Sequence, residues 1–380
     1  MSAKESSLPE RLPTEAPEFS EPSRERRLEE VRRQALHTGR VTGAGIRPAG
    51  SPFPIASPEA GYYGIPLLKE PQWSWEIPVY FFAGGAAGAA AVIAEFAQMT
   101  GSKTELVNDA RTVAAIGSLL APALLVADLG MPSRFLNMLR VFKVQSPMSV
   151  GVYIVSGFGP TATLAKMANY LRGNHDGILL KMIESASGLF SALFGLGMAT
   201  YTGVLIGVTA IPVWNENIDS LPTHFALSGL GAGVSAIELM GNEDSRALNM
   251  LGLAAAVGET LEGIKLEMTS KPANEPLKKG VSGVITRLGG LLSGPLPLAL
   301  RIASALAGEG NSKQLRRAAA ASTVAGSLFT RIGWVRAGHA SARDYRLPLQ
   351  LATKSTPTVA QLPNESKFAK ASRQALGRHD

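Results

Sequence analysis

From position 79 onward the chain alternates long apolar stretches with short polar connections that carry Pro and charge. A bilayer core of about 30 Å needs about 20 apolar residues in a helix. Eight stretches approach that length, at 79–98, 113–129, 148–171, 188–213, 224–240, 247–261, 281–306 and 318–335. Arg287, Arg301 and Arg331 interrupt the last two, so seven spans remain open. Small residues recur four apart at Gly84/Gly88, Gly203/Gly207 and Gly229/Gly233, a spacing that lets membrane helices approach backbone to backbone. The pattern predicts an all-α integral membrane protein, a bundle of about eight transmembrane helices. Pro122, Pro160, Pro295 and Pro297 read as breaks in the spans, with no paired arrangement in two halves.

Two polar ends flank the bundle. Residues 1–72 are rich in Pro, Glu, Arg and Ser, and predict a disordered tail, because such a segment buries too little apolar surface to offset its ordering entropy. They read as lacking a secretory signal peptide. Residues 339–380 are again polar and predict an irregular tail, leaving 73–338 as the membrane domain. Between two apolar stretches lies the run DLGMPSRFLNMLRVFKVQSPMS, 128–149. Its part 134–143 predicts a short interfacial amphipathic helix, with Phe135, Leu136, Met138, Leu139 and Phe142 opposed to Arg134, Arg140 and Lys143.

The chain has no cysteine, so it has no disulfide, thiolate metal site or iron–sulfur cluster of its own, and no metal site is predicted. A haem-carrying membrane subunit needs axial ligands, usually His, on its spans, and only His224 falls at one; no haem is expected. The net charge of +7 sits largely in tails and loops, which points to a membrane surface and away from nucleic acid. Lys and Arg near the spans mildly favour the side of the termini, which predicts cytoplasmic termini.

Three motifs, WSWEIPVYFFAGGAAGAA (73–90), the 128–149 run and YTGVLIGVTAIPVWN (201–215), resemble the NrfD/PsrC family, the membrane subunits of polysulfide-reductase-like complexes. The resemblance is good over about 73–240, and the last three spans match only in character. It implies a membrane anchor in a bacterial inner membrane that binds quinone, menaquinone or ubiquinone, as its substrate. It also implies a ferredoxin-like iron–sulfur partner and, through that, a molybdopterin or cytochrome catalytic subunit. The competing readings are a proton- or cation-coupled transporter and a purely structural anchor.

Quinone chemistry needs donors at the carbonyl oxygens, an apolar slot and a proton route. The resemblance places Tyr201 at a quinone oxygen, and a phenol can donate to a carbonyl at neutral pH. The plainer reading is a buried tyrosine bonded to a backbone carbonyl. Tyr80 stands where some family members carry histidine; an interfacial anchor is the alternative. Trp73 and Trp75 read as belt residues. Asp128 pairs with Arg134 in the preferred reading, with proton relay second. Charges inside spans are costly, which singles out Glu95, Glu238, Glu259 and Glu262. Glu238, Glu259 and Glu262 are the relay candidates; Glu259 and Glu262 share a helix face, and Arg331 is a possible counter-charge. Arg134, Arg140, Lys143 and Asn215 are candidates for holding the elbow or docking the partner.

Overall fold

A computed structural model describes residues 29–30, 68–128, 137–173, 177–344 and 347. Within the unit 48–380 the chain forms α1 Glu76–Met99, α2 Thr104–Asp128, α3 Pro147–Arg172, α4 Ile178–Gly207, the single turn α5 Pro212–Asn215, and α6 Leu221–Ile237. There follow α7 Arg246–Met268, the turn α8 Glu275–Lys278, α9 Gly280–Ser293, α10 Pro295–Leu306 and α11 Glu309–Arg343. The described residues contain no strand. This is an all-α membrane bundle. Five segments are long and apolar enough to cross a membrane: α1, α2, α3, α4 and the pair α9–α10 taken together. Of the other expected spans, α6 has 17 residues, and α7 and α11 are long but more polar.

The Ala- and Gly-rich α1 is buried on nearly every side and packs against α2, α4 and α6. Its small residues make this possible. A Cβ on Gly88 would stand 2.3 Å from the Gly195 carbonyl oxygen of α4, and one on Gly233 would stand 2.7 Å from Ala86 O. Those contacts exclude any larger residue, which is the physical content of the small-residue spacing. A second group, α7, α9, α10 and α11, packs on α6, on one another and, through α11, on α1.

Local signals set several boundaries. Ser146 caps α3 by accepting from the Ser149 N–H at 3.4 Å, and Pro147 follows in the first turn, where its missing N–H costs nothing. The π-helical turn Glu238–Asn242 that ends α6 places Gly241 at φ 110°, a conformation open to glycine at little cost.

The structure revises four expectations. Pro122 and Pro160 lie inside the continuous helices α2 and α3, whereas Pro295 and Pro297 sit in the first turn of α10, after a break at Gly294. The interfacial helix at 134–143 does not continue through its second half: residues 137–139 form one 3-10 turn and 140–143 are not helical. That segment is held by tertiary bonds instead, from Tyr153 Oη to Leu139 O at 2.8 Å and from Ser149 Oγ to Val141 O at 3.3 Å. The polar end is helical to Arg343, five residues past Gly338, because Glu70 and the Trp73 carbonyl give His339 and Arg343 partners. Finally, the fourth apolar stretch enters its helix at Ile178, ten residues before 188. The predicted disorder of 1–28, 31–67 and 348–380, and the first half of the elbow, 129–136, lie outside the described residues, while residues 29–30 are helical.

Candidate functional site

Helices α1 and α4 run antiparallel, so the start of α1 meets the end of α4. Tyr80 and Tyr201 therefore line one cavity of about 90 Å3, together with Asp128 from the end of α2, Met138 from the elbow, and Met148 and Gly151 from α3. Trp73, Ile77, Phe81, Leu125, Val152 and Leu205 supply its apolar wall. Both tyrosines are buried, and neither hydroxyl makes a hydrogen bond to a described residue. The plainer reading of Tyr201, a phenol tied to a backbone carbonyl, finds no such bond among the described residues. Asp128 accepts from Ser74 Oγ at 3.4 Å; its expected partner Arg134 lies outside the described residues.

Gly151 is the determinant that sequence reasoning missed. A Cβ there would fall 1.8 Å from Tyr201 Oη and 1.7 Å from Cζ, so only glycine lets the phenol lie against the α3 backbone. The signal was present as the first glycine after SPMS, but the partner it accommodates is fifty residues away. Trp73 also departs from expectation. Its ring stacks on buried Trp214 at 5.1 Å and meets Phe81 edge-on at 6.0 Å, forming cavity wall where a belt residue was expected. Trp75, 66% exposed, fits the belt.

The carboxylates sort differently. Glu238 is fully buried and clamped by Arg301, Nη1 to Oε1 at 2.8 Å and Nη2 to Oε2 at 2.6 Å, with Asn249 also accepting from Arg301. A carboxylate held bidentately by a permanent cation is a poor proton carrier, so the contacts of Glu238 favour a clamp over a relay. Arg331 forms no ion pair within 4 Å of a described carboxylate, but its charge acts on Glu259 across space, as the counter-charge reading expected. Its guanidinium lies 3.7 Å over the Phe225 ring and donates to Phe225 O at 2.8 Å. Glu259 is buried, accepts from Ser293 Oγ at 2.9 Å, and faces His224 Nδ1 at 3.5 Å. Glu262 shares that cavity and pairs with Lys265 at 3.5 Å. Neither belongs to the tyrosine cavity, which Asp128 alone of the relay candidates lines.

At the far end of α1, Glu95 belongs to a cluster whose other members escaped sequence reasoning. Arg111, buried, bonds Glu184 and Gln98 and stands 3.9 Å from Glu95, while Arg172 reaches Glu184 at 2.6 Å. Arg140 and Lys143 are exposed beside Val141, Phe142 and Val144. Asn215 is exposed and donates to Gly207 O at 3.3 Å, closing the end of α4 without reaching the tyrosine cavity. Outside the spans, Glu70 is held by Arg343 and by His339 Nδ1. Burial opposes its ionisation, but these hydrogen bonds outweigh that and hold the carboxyl below its ordinary range. Among the described residues no cluster of three His, Cys, Asp or Glu could hold a metal ion.

No curated protein matches the chain significantly. Residues 68–243, which carry α1 to α6 and the whole tyrosine cavity, match the model of the polysulphide reductase NrfD family, and this part of the chain belongs to that family.

Proposed function

We propose that the chain is the membrane anchor subunit of a quinone-linked oxidoreductase and that the Tyr80–Tyr201 cavity receives the quinone head. The observation that carries this reading is the pairing of two buried phenols, both without a hydrogen-bond partner among the described residues, in one apolar cavity with a carboxylate at its rim. Neither hydroxyl is among the fully enclosed unpaired polar atoms, so both open onto the cavity, and donors facing an apolar slot favour an occupant with acceptor oxygens. Tyr201 and Tyr80 would donate to the two carbonyl oxygens, and Asp128 would exchange the protons that accompany reduction. The cavity of about 90 Å3 is small beside the few hundred Å3 usual for ligand sites. Admission of a ring requires wall side chains to move, and Met138 and Met148 are the flexible ones there. Electrons would pass to or from a ferredoxin-like iron–sulfur subunit docked at the same end, where Arg140 and Lys143 are exposed.

The test is isolation of the intact complex from membranes. A co-purified iron–sulfur protein whose reduction a quinone analogue perturbs supports the reading. Tyr201→Phe should abolish quinone-linked turnover while the complex still assembles. Unchanged turnover removes Tyr201 from the site, and a bound partner with no quinone effect leaves a structural anchor.

A further inference from the structure

A second cavity lies among α6, α7, α9 and α11, and its chemistry is unlike that of the first. It measures about 60 Å3 and is bounded by Ser220, His224, Glu259, Glu262, Thr286 and Thr330, with Trp334, Lys265 and the Asn217–Asn274 pair at its margins. Four buried polar atoms on its wall have no hydrogen-bond partner among the described residues: His224 Nδ1, Glu259 Oε1, Thr330 Oγ1 and Trp334 Nε1. Each such group is costly if left dry. A water needs about 10–15 Å3 and two to four polar partners, so a space of this size and lining suits a few water molecules.

We propose that this cavity is a hydrated proton-exchange site, in which Glu259 takes up and releases a proton through water shared with His224. Glu259 is 3% exposed, and no described Lys or Arg forms a salt bridge with it. A buried carboxylate without a contacting cation is expensive as an anion, and protonation removes the charge. The groups facing it are known from every side. They are His224 on α6, Glu262 and Lys265 on its own helix, and Ser293 on α9. On α11, Arg331 donates through Nη2 to Phe225 O, and its charge acts on Glu259 without touching it. Arg287, also on α9, is exposed and held by Glu267. The route to water runs along Glu262 and Lys265, whose side chains are 23% and 62% exposed. One proton from bulk water joins a carboxylate oxygen and later leaves it; no electron moves. The site shares no lining residue with the tyrosine cavity, and Trp214 and Phe225 stand between them, Trp214 Nε1 donating to Trp334 O at 2.8 Å.

Infrared difference spectroscopy of the full chain in membranes, between high and low pH and in H2O against D2O, tests this. A carboxylic C=O stretching band should grow on acidification, shift promptly in D2O, and vanish in Glu259→Gln. Ser293→Ala, which removes the bond to Oε2, should shift the band and serves if Glu259→Gln fails to accumulate. Glu238→Gln and Tyr201→Phe should leave it in place, which separates this site from the quinone reading. Absence of the band at every pH, its survival in Glu259→Gln, or exchange as slow as that of core amides would overturn the proposal.

Discussion

The two ends of α6 each meet a buried carboxylate, and the two have opposite surroundings. At the π-helical turn, Glu238 is fully buried and held on both oxygens by Arg301. At the start of α6, His224 faces Glu259 across polar space, with one carboxylate oxygen bonded and the other free. Burial of charge alone therefore does not mark chemistry. What separates a structural clamp from a titrating site is whether the partner is a fixed cation at hydrogen-bond distance or a group that leaves room for water. The tyrosine cavity is a third case, in which neutral donors are left unpaired in an apolar slot.

Breaking the clamp should have the largest effect. Arg301→Ala leaves a buried, uncompensated carboxylate, expected to cost about 3–5 kcal/mol; thermal denaturation in detergent should show severe loss, and the double variant Glu238→Gln/Arg301→Met should recover much of it. Next is Gly151→Ala. The added methyl forces the Tyr201 ring away, costs about 1–3 kcal/mol of packing strain, and should weaken quinone-analogue binding more than Tyr80→Phe does. Glu259→Gln should cost only about 1 kcal/mol, close to one lost neutral hydrogen bond. A loss as large as that of Arg301→Ala would erase the contrast between the two ends of α6.

The smallest effect concerns Glu70, at the aqueous edge. Its carboxyl is held below the ordinary value by Arg343 and His339 despite burial, so its contribution is present above the ordinary carboxylate pKa of about 4.3. It disappears as pH falls through the lower folded value. The acid side of a stability–pH profile should flatten slightly in Glu70→Gln, and an identical profile would remove the cluster from the account.

Much of the fold was legible because periodicity, span length and Gly spacing are local properties. Each of the eight apolar stretches begins or ends within a helix, and the small-residue positions are where α1, α4 and α6 touch. The elbow was less legible. Its amphipathic spacing favours a helix, yet Tyr153 and Ser149 of α3 bond its carbonyls at 139 and 141 directly, and residues 140–143 are not helical. The fate of Trp73 was also hidden, since a tryptophan at a span's edge looks the same whether it faces lipid or stacks on another ring.

The sequence by itself determined that this is an apolar helical bundle of the NrfD type, with tyrosines near the ends of two helices and carboxylates inside others. Only the tertiary structure decided that Glu238 is paired with Arg301, that Glu259 faces His224, and that Gly151 makes room for Tyr201. The reason is physical. Hydropathy and spacing fix which face of a helix is buried. The partner met there is 35 to 63 residues distant in these three pairs, and is set by how the helices rotate and slide when they dock.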